Sequence, residues 1–184
     1  MSGIVGKVGS KSTVIGRLPP GTVLQTVSVV NTANHQSTGD KYMRNSLGNQ
    51  WDGTDTNGHA LKIIKKSGNS TFDCTFHQIE VWFGSFANNT EEGFKYNLRN
   101  STATGMGSPN SAVIVTHNWD TRANGDPCGQ EAHPAIGKLI VTTYNTAQAG
   151  TTVFFDIKKV VAGGSLTAGG VSEAGTLTVK EIQL

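Results

Sequence analysis

The sequence predicts an all-β fold, and three observations carry it. Threonine numbers 22 and glycine 23 while charged residues make up only 15%, a composition of strands and turns that is poor in helix formers. Apolar and polar residues alternate in one segment after another, which is the period of a half-buried strand. The densest such run is 71–83, TFDCTFHQIEVWF, where Phe72, Cys74 and Phe76 share one parity and Ile79, Val81 and Phe83 the other. A regular strand buries one parity, so this run requires a β-bulge near His77 and Gln78 that shifts the phase by one residue. Helical spacing also fits Phe72, Phe76, Ile79 and Phe83, but Thr, Cys, Ile, Val and Trp form helices poorly and strands well.

At 184 residues the chain is long enough for one domain that buries about 70% of its unfolded surface. Residues 1–16, MSGIVGKVGSKSTVIG, are too polar to fold alone, yet two spaced apolar pairs, Ile4 with Val5 and Val14 with Ile15, suit an arm that docks on another protein. Leu18-Pro19-Pro20-Gly21 then makes a stiff stop, because proline fixes φ and lacks an amide donor. This places an N-terminal anchoring arm at 1–20 and the β domain at 21–184.

Residues 22–30 form the first strand, with Val23, Val27 and Val29 of one parity. The polar stretch 31–60 is too long to be a bare loop, so a short strand or helical turn is expected near 41–47 and a tight turn at Asp52-Gly53. LKIIK at 61–65 reads as a short strand, which Ser67-Gly68-Asn69 turns back into the 71–83 run as a hairpin. Further strands follow at 94–98, 112–116, 139–144, 153–160 and 176–182, with a second long polar loop at 118–134. The total is eight or nine strands.

Several function classes find no footing in this chain. A net charge of +2 without a basic cluster argues against nucleic acid. No apolar stretch approaches the length of a membrane span, and the first residues lack the apolar core of a signal peptide, so synthesis in a cytoplasm is expected. Cys74 and Cys128 show neither zinc nor disulfide spacing and read as free thiols. Of the five histidines, none pairs at ligand spacing; Cys74 and His77, three apart, would point to opposite faces of a regular strand. Asp52, Asp55, Asn57 and Gly58 lack the twelfth-position Glu of a calcium loop. Glu91 and Glu92 are adjacent rather than facing across a sugar. Asp120, Asp126, Cys128 and His133 share one polar loop and are read as its composition. No catalytic residue, metal site or cofactor is assigned, and the chain is not expected to be an enzyme.

Taken in order, GTVLQTVSVV, the middle hairpin, FKYNLRNST, TTVFFDIKKV and AGTLTVKEI resemble the C-terminal domains of tail fibres of marine bacteriophages, over residues 21–184. GKVGSKSTVIG is similar to the leader that opens several phage structural proteins ahead of a β domain. The resemblance implies an antiparallel β-sandwich, jelly-roll-like, that forms a homotrimer on the outside of a virion. No long shaft precedes the domain, so a head decoration protein, short head fibre or tail-tip knob fits better than a full fibre.

Candidate site residues follow. Ile4, Val5, Val14 and Ile15 are expected to anchor the arm to other virion proteins, of capsid or tail. The apolar residues of the 71–83 run fall on both parities, more than one sheet face needs, so some of Phe72, Phe76, Ile79 and Phe83 are expected at subunit contacts. Tyr42, Trp51 and Trp119 lie in polar stretches, where they would either stack on a host-surface glycan or fill a small core beneath their loops. The alternative to the virion protein is therefore a carbohydrate-binding β-sandwich module.

Overall fold

A computed structural model describes residues 18–31, 41–43, 51–52, 58–80, 93–118, 135–162 and 174–184. Within them lie ten strands and no helix: β1 (Val23–Asn31), β2 (Lys41–Met43), β3 (Trp51–Asp52), β4 (Leu61–Ile64), β5 (Ser70–Glu80), β6 (Gly93–Ser101), β7 (Asn110–Asn118), β8 (Ala135–Val141), β9 (Thr152–Ala162) and β10 (Ala174–Gln183). They make two antiparallel sheets. The first runs β1-β10-β5-β8; the second runs β3-β2-β9-β6-β7, with β4 sharing the β2 edge of β9.

The alternation read from the sequence is what puts one face of each sheet against the other. Phe72, Cys74 and Phe76 of β5 are buried, as are Leu177 and Val179 of β10, and all face Phe155 and Ile157 of β9 and Tyr96 and Leu98 of β6 in one core. Two ring pairs join the sheets: Phe72 meets Phe155 edge-on at 5.4 Å, and Phe76 meets Tyr96 at 5.2 Å. Each such pair contributes about 0.5–1.5 kcal/mol beyond its buried area.

Bulges adjust both sheets. On β5 the register against β10 shifts between Gln78 and Glu80, so the extra residue is Ile79, one step past the position expected. A second shift, on β7 opposite Tyr96 and Asn97, leaves Ile114 unpaired, and this lets the consecutive residues Ile114 and Val115 both enter the core.

One expected pairing is overturned. Residues 61–65 do not form a hairpin with the 71–83 run: β4 pairs with β9, Leu61 opposite Phe155, and the 65–69 turn carries the chain across from the second sheet to the first. Leu61 and Ile63 enter the shared core from beside β9, and a turn signal fixes a reversal without fixing which strand it meets.

Candidate functional site

The strand directions give the molecule two unlike ends. β1, β5, β7 and β9 run one way, and β6, β8 and β10 run back. Connections 32–40, 81–92, 119–134 and 163–173 therefore all join strand ends at one end, termed here the loop end. Connections 65–69, 102–109 and 142–151 lie at the other, the turn end.

The segment with which the described residues begin is built into the turn end. Pro19 to Thr22 is a type II turn: the Thr22 amide donates to the Pro19 carbonyl at 3.1 Å, and Gly21 takes φ +86°, where a Cβ would be strained. The Thr22 hydroxyl donates to the same carbonyl at 2.7 Å. Gly21 N donates to Gln183 O, and Gln183 N to Thr22 O, so the turn is fastened to the last strand. The Leu18-Pro19-Pro20-Gly21 stop is thus fastened to the domain at Gly21 and Thr22, and residues 1–17 lie outside the described residues.

Two buried charged side chains, each satisfied by its own hydrogen bonds, hold the rest of this end. The Glu181 carboxylate on β10 accepts from the amides of Lys66 and Ser67, from the Ser70 hydroxyl at 2.5 Å and from Gln25 Nε2 at 2.6 Å. Burial pushes its pKa up, but these hydrogen bonds more than offset that and hold it below the ordinary carboxylate value. Lys65 Nζ donates to the carbonyls of Tyr144 at 2.5 Å and Ser70 at 3.2 Å, tying turn 142–151 to turn 65–69. Burial lowers the Lys65 pKa, and Glu181 only partly restores it.

The expected site residues divide. Phe72 and Phe76 are fully buried within a single chain, so the subunit contact expected of them is filled by the opposite sheet of their own subunit. The side chain of Ile79 and all of Phe83 lie outside the described residues, as do Ile4, Val5, Val14 and Ile15. Tyr42 is not an open stacking surface: it is buried on the outer face of the second sheet, with the Arg99 guanidinium 4.4 Å and Lys158 Nζ 5.4 Å from its ring centre. The Trp51 side chain and Trp119 lie outside the described residues. Cys74 is a free thiol in the core, its pKa raised by burial, while His77 is exposed on the other face of β5. Among the described residues no three His, Cys, Asp or Glu side chains gather as a metal group would.

No protein-family model matches the chain, and no curated protein matches it. Among solved structures it is similar to dimeric latent PorU from Porphyromonas gingivalis, with a TM-score of 0.41 and 9% identity over 92% of this chain and 13% of that one. It is also similar to the VP2 subviral particle of infectious bursal disease virus, TM-score 0.36 and 12% identity over 86% of this chain and 33% of that one. A third likeness is to Eiger TNF from S. frugiperda, TM-score 0.35 and 9% identity over 90% of this chain and 88% of that one. Likenesses at this level say nothing about what the chain does.

Two groups central to the structure left no signal in the sequence. Arg99 of β6 and Asp156 of β9 form a buried bidentate pair, Nε to Oδ1 at 2.8 Å and Nη2 to Oδ2 at 2.6 Å, from residues far apart in the chain. Large apolar side chains are exposed along the sides of the sandwich: Ile136 at 66%, Ile140 at 53% and Val113 at 50%. The strand read at 139–144 includes Ile140 but not Ile136, and only the tertiary arrangement shows that their face of the sheet is exposed.

Proposed function

We propose that this chain is a non-enzymatic virion surface protein of a bacteriophage, a jelly-roll domain displayed as a homotrimer and anchored by its N-terminal arm. The polarity of the molecule carries the reading. The arm leaves the turn end from a hydrogen-bonded root, and the connections that hold Trp82, Phe83, Phe86 and Trp119 belong to the loop end. Binding residues concentrate on loops positioned by a rigid scaffold, so an anchor at one end and loops at the other suits a protein that stands on a particle and presents its far end. A host-surface glycan would be met at that end, with Trp119 as the candidate residue to stack on it.

The strand order supports the jelly roll. β1-β10-β5-β8 faces β4/β2-β9-β6-β7, and most connections cross from one sheet to the other, which is the double-sheet arrangement found in capsid and lectin domains alike. A lectin-like module shares that order, but the fastened arm root favours the virion protein. Fold alone assigns no function.

The test removes residues 1–17 from the chain, leaving the Pro19 turn intact. A chain starting at Leu18 is expected to keep the melting temperature and oligomeric mass of the full chain. It should fail to decorate virions of the phage that encodes it, whereas the full chain decorates them. Equal decoration by both chains would mean that the arm is not the anchor.

A further inference from the structure

We propose that Glu181 is an acid-labile clasp: protonating this one buried carboxylate opens the turn end of the molecule while the core between the sheets stays folded. The clasp is a property of the fold and is independent of the display reading.

Glu181 takes the inward position on β10 after Leu177 and Val179, and it is fully buried. Its side chain only accepts. Oε1 takes the Lys66 amide at 3.0 Å, the Ser67 amide at 3.1 Å and the Ser70 hydroxyl at 2.5 Å. Oε2 takes the Lys66 amide at 2.9 Å and Gln25 Nε2 at 2.6 Å. A protonated carboxyl turns one of these oxygens into a donor that faces donors, and buried N–H groups then lose their acceptor.

These bonds span both sheets. Gln25 of β1 also donates to the Ile64 carbonyl of β4 at 2.6 Å, so Glu181 and Gln25 together tie β10 and β1 of the first sheet to β4 of the second. The β1 ladder is already irregular there, its register against β10 shifting between Val23 and Gln25. Gly21 and Thr22 bond to Gln183, two residues past Glu181. Phe76 and Tyr96, ring to ring at 5.2 Å, hold the sheets together without a carboxylate.

The groups that face Glu181 are Gln25 from β1, Ser70 from β5, and the two amides and the Lys65 ammonium from turn 65–69. Burial raises the Glu181 pKa, but the bonds from Ser70, Gln25, Lys66 and Ser67 lower it further, below the ordinary 4.5. A carboxylate held low in the folded state contributes stability that is complete above its unfolded pKa and is lost as pH falls through the folded one. Protonation also leaves the buried Lys65 cation with carbonyls alone.

Nuclear magnetic resonance of the isotope-labelled full chain through falling pH tests this with a local readout. The amide protons of Lys66 and Ser67 and the Gln25 side-chain amide are expected to shift together, with one midpoint below 4.5. Past that midpoint the Gly21, Lys66 and Ser67 amides should lose at least about tenfold of their exchange protection, while Phe76 and Leu98 on the central strands β5 and β6 keep theirs. Glu181→Gln places an NH2 among the donors, so the same amides should be poorly protected already at neutral pH and the joint shift should vanish. Ser70→Ala, which removes one of the bonds that lower the pKa, should move the midpoint up. Absence of the joint shift, its persistence in Glu181→Gln, a midpoint unmoved in Ser70→Ala, or loss of Phe76 and Leu98 protection at the same pH as Gly21 overturns the proposal.

Discussion

Gly137→Ala is expected to destabilise the domain by at least about 3 kcal/mol, the upper part of the range for forcing atoms into a filled core. Gly137 lies on β8 where that strand crosses against β7, and a Cβ there would sit 2.0 Å from the Ile114 carbonyl oxygen and 2.5 Å from Val115 Cγ2. The first obstacle is backbone, so no rotamer change relieves it. Ile114 is also the residue displaced by the β7 bulge, and pushing it back disturbs the two consecutive core residues that the bulge supplies. Urea unfolding followed by circular dichroism measures the effect. A loss below about 1 kcal/mol, the common result of an ordinary substitution, would mean that the two sheet edges do not approach as described.

Asp156→Ala or Arg99→Ala is expected to cost about 3–5 kcal/mol, because each leaves the other charge buried without its bidentate partner. Both side chains are nearly inaccessible, so water cannot replace the lost bonds. Removing Arg99 also uncovers one side of the Tyr42 ring. The double replacement Arg99→Met with Asp156→Leu should recover most of the loss, since it removes both desolvation penalties together. Denaturant midpoints of the parent, the two single variants and the double variant measure the recovery. A double variant as unstable as the sum of the singles would show that the pair acts through something other than mutual charge compensation.

The strands were legible because β-branched and aromatic residues alternate along them, and β1, β5, β6 and β10 fall within a few residues of where that alternation places them. The bulge was legible for the same reason, since a change of parity in one strand has few physical causes. Partner choice was not. The turn at Ser67-Gly68-Asn69 announces a reversal equally well whether the chain returns beside β4 or crosses to the other sheet, and only Leu61 lying opposite Phe155 decides it. The excess of apolar residues in β5 pointed toward subunit contacts, yet Phe72 and Phe76 serve the subunit's own core. Open apolar positions belong instead to β8, where the strand read from the sequence begins at 139 and so leaves Ile136 out. Glu181 likewise reads as a surface acid near the end of a strand. Its burial depends on Gln25, Ser70 and two turn amides that no local pattern connects to it.

The proposed role requires the turn end of the molecule to meet the particle. Electron cryomicroscopy of virions decorated with the full chain resolves this once the two-sheet domain is fitted into the added density. The expected image has the turn end, with Leu18 and turns 65–69 and 142–151, toward the particle surface, and the strand ends Asn31, Glu80, Asn118 and Ala162 facing outward. Density that places the loop end against the particle and Leu18 toward solvent would contradict it.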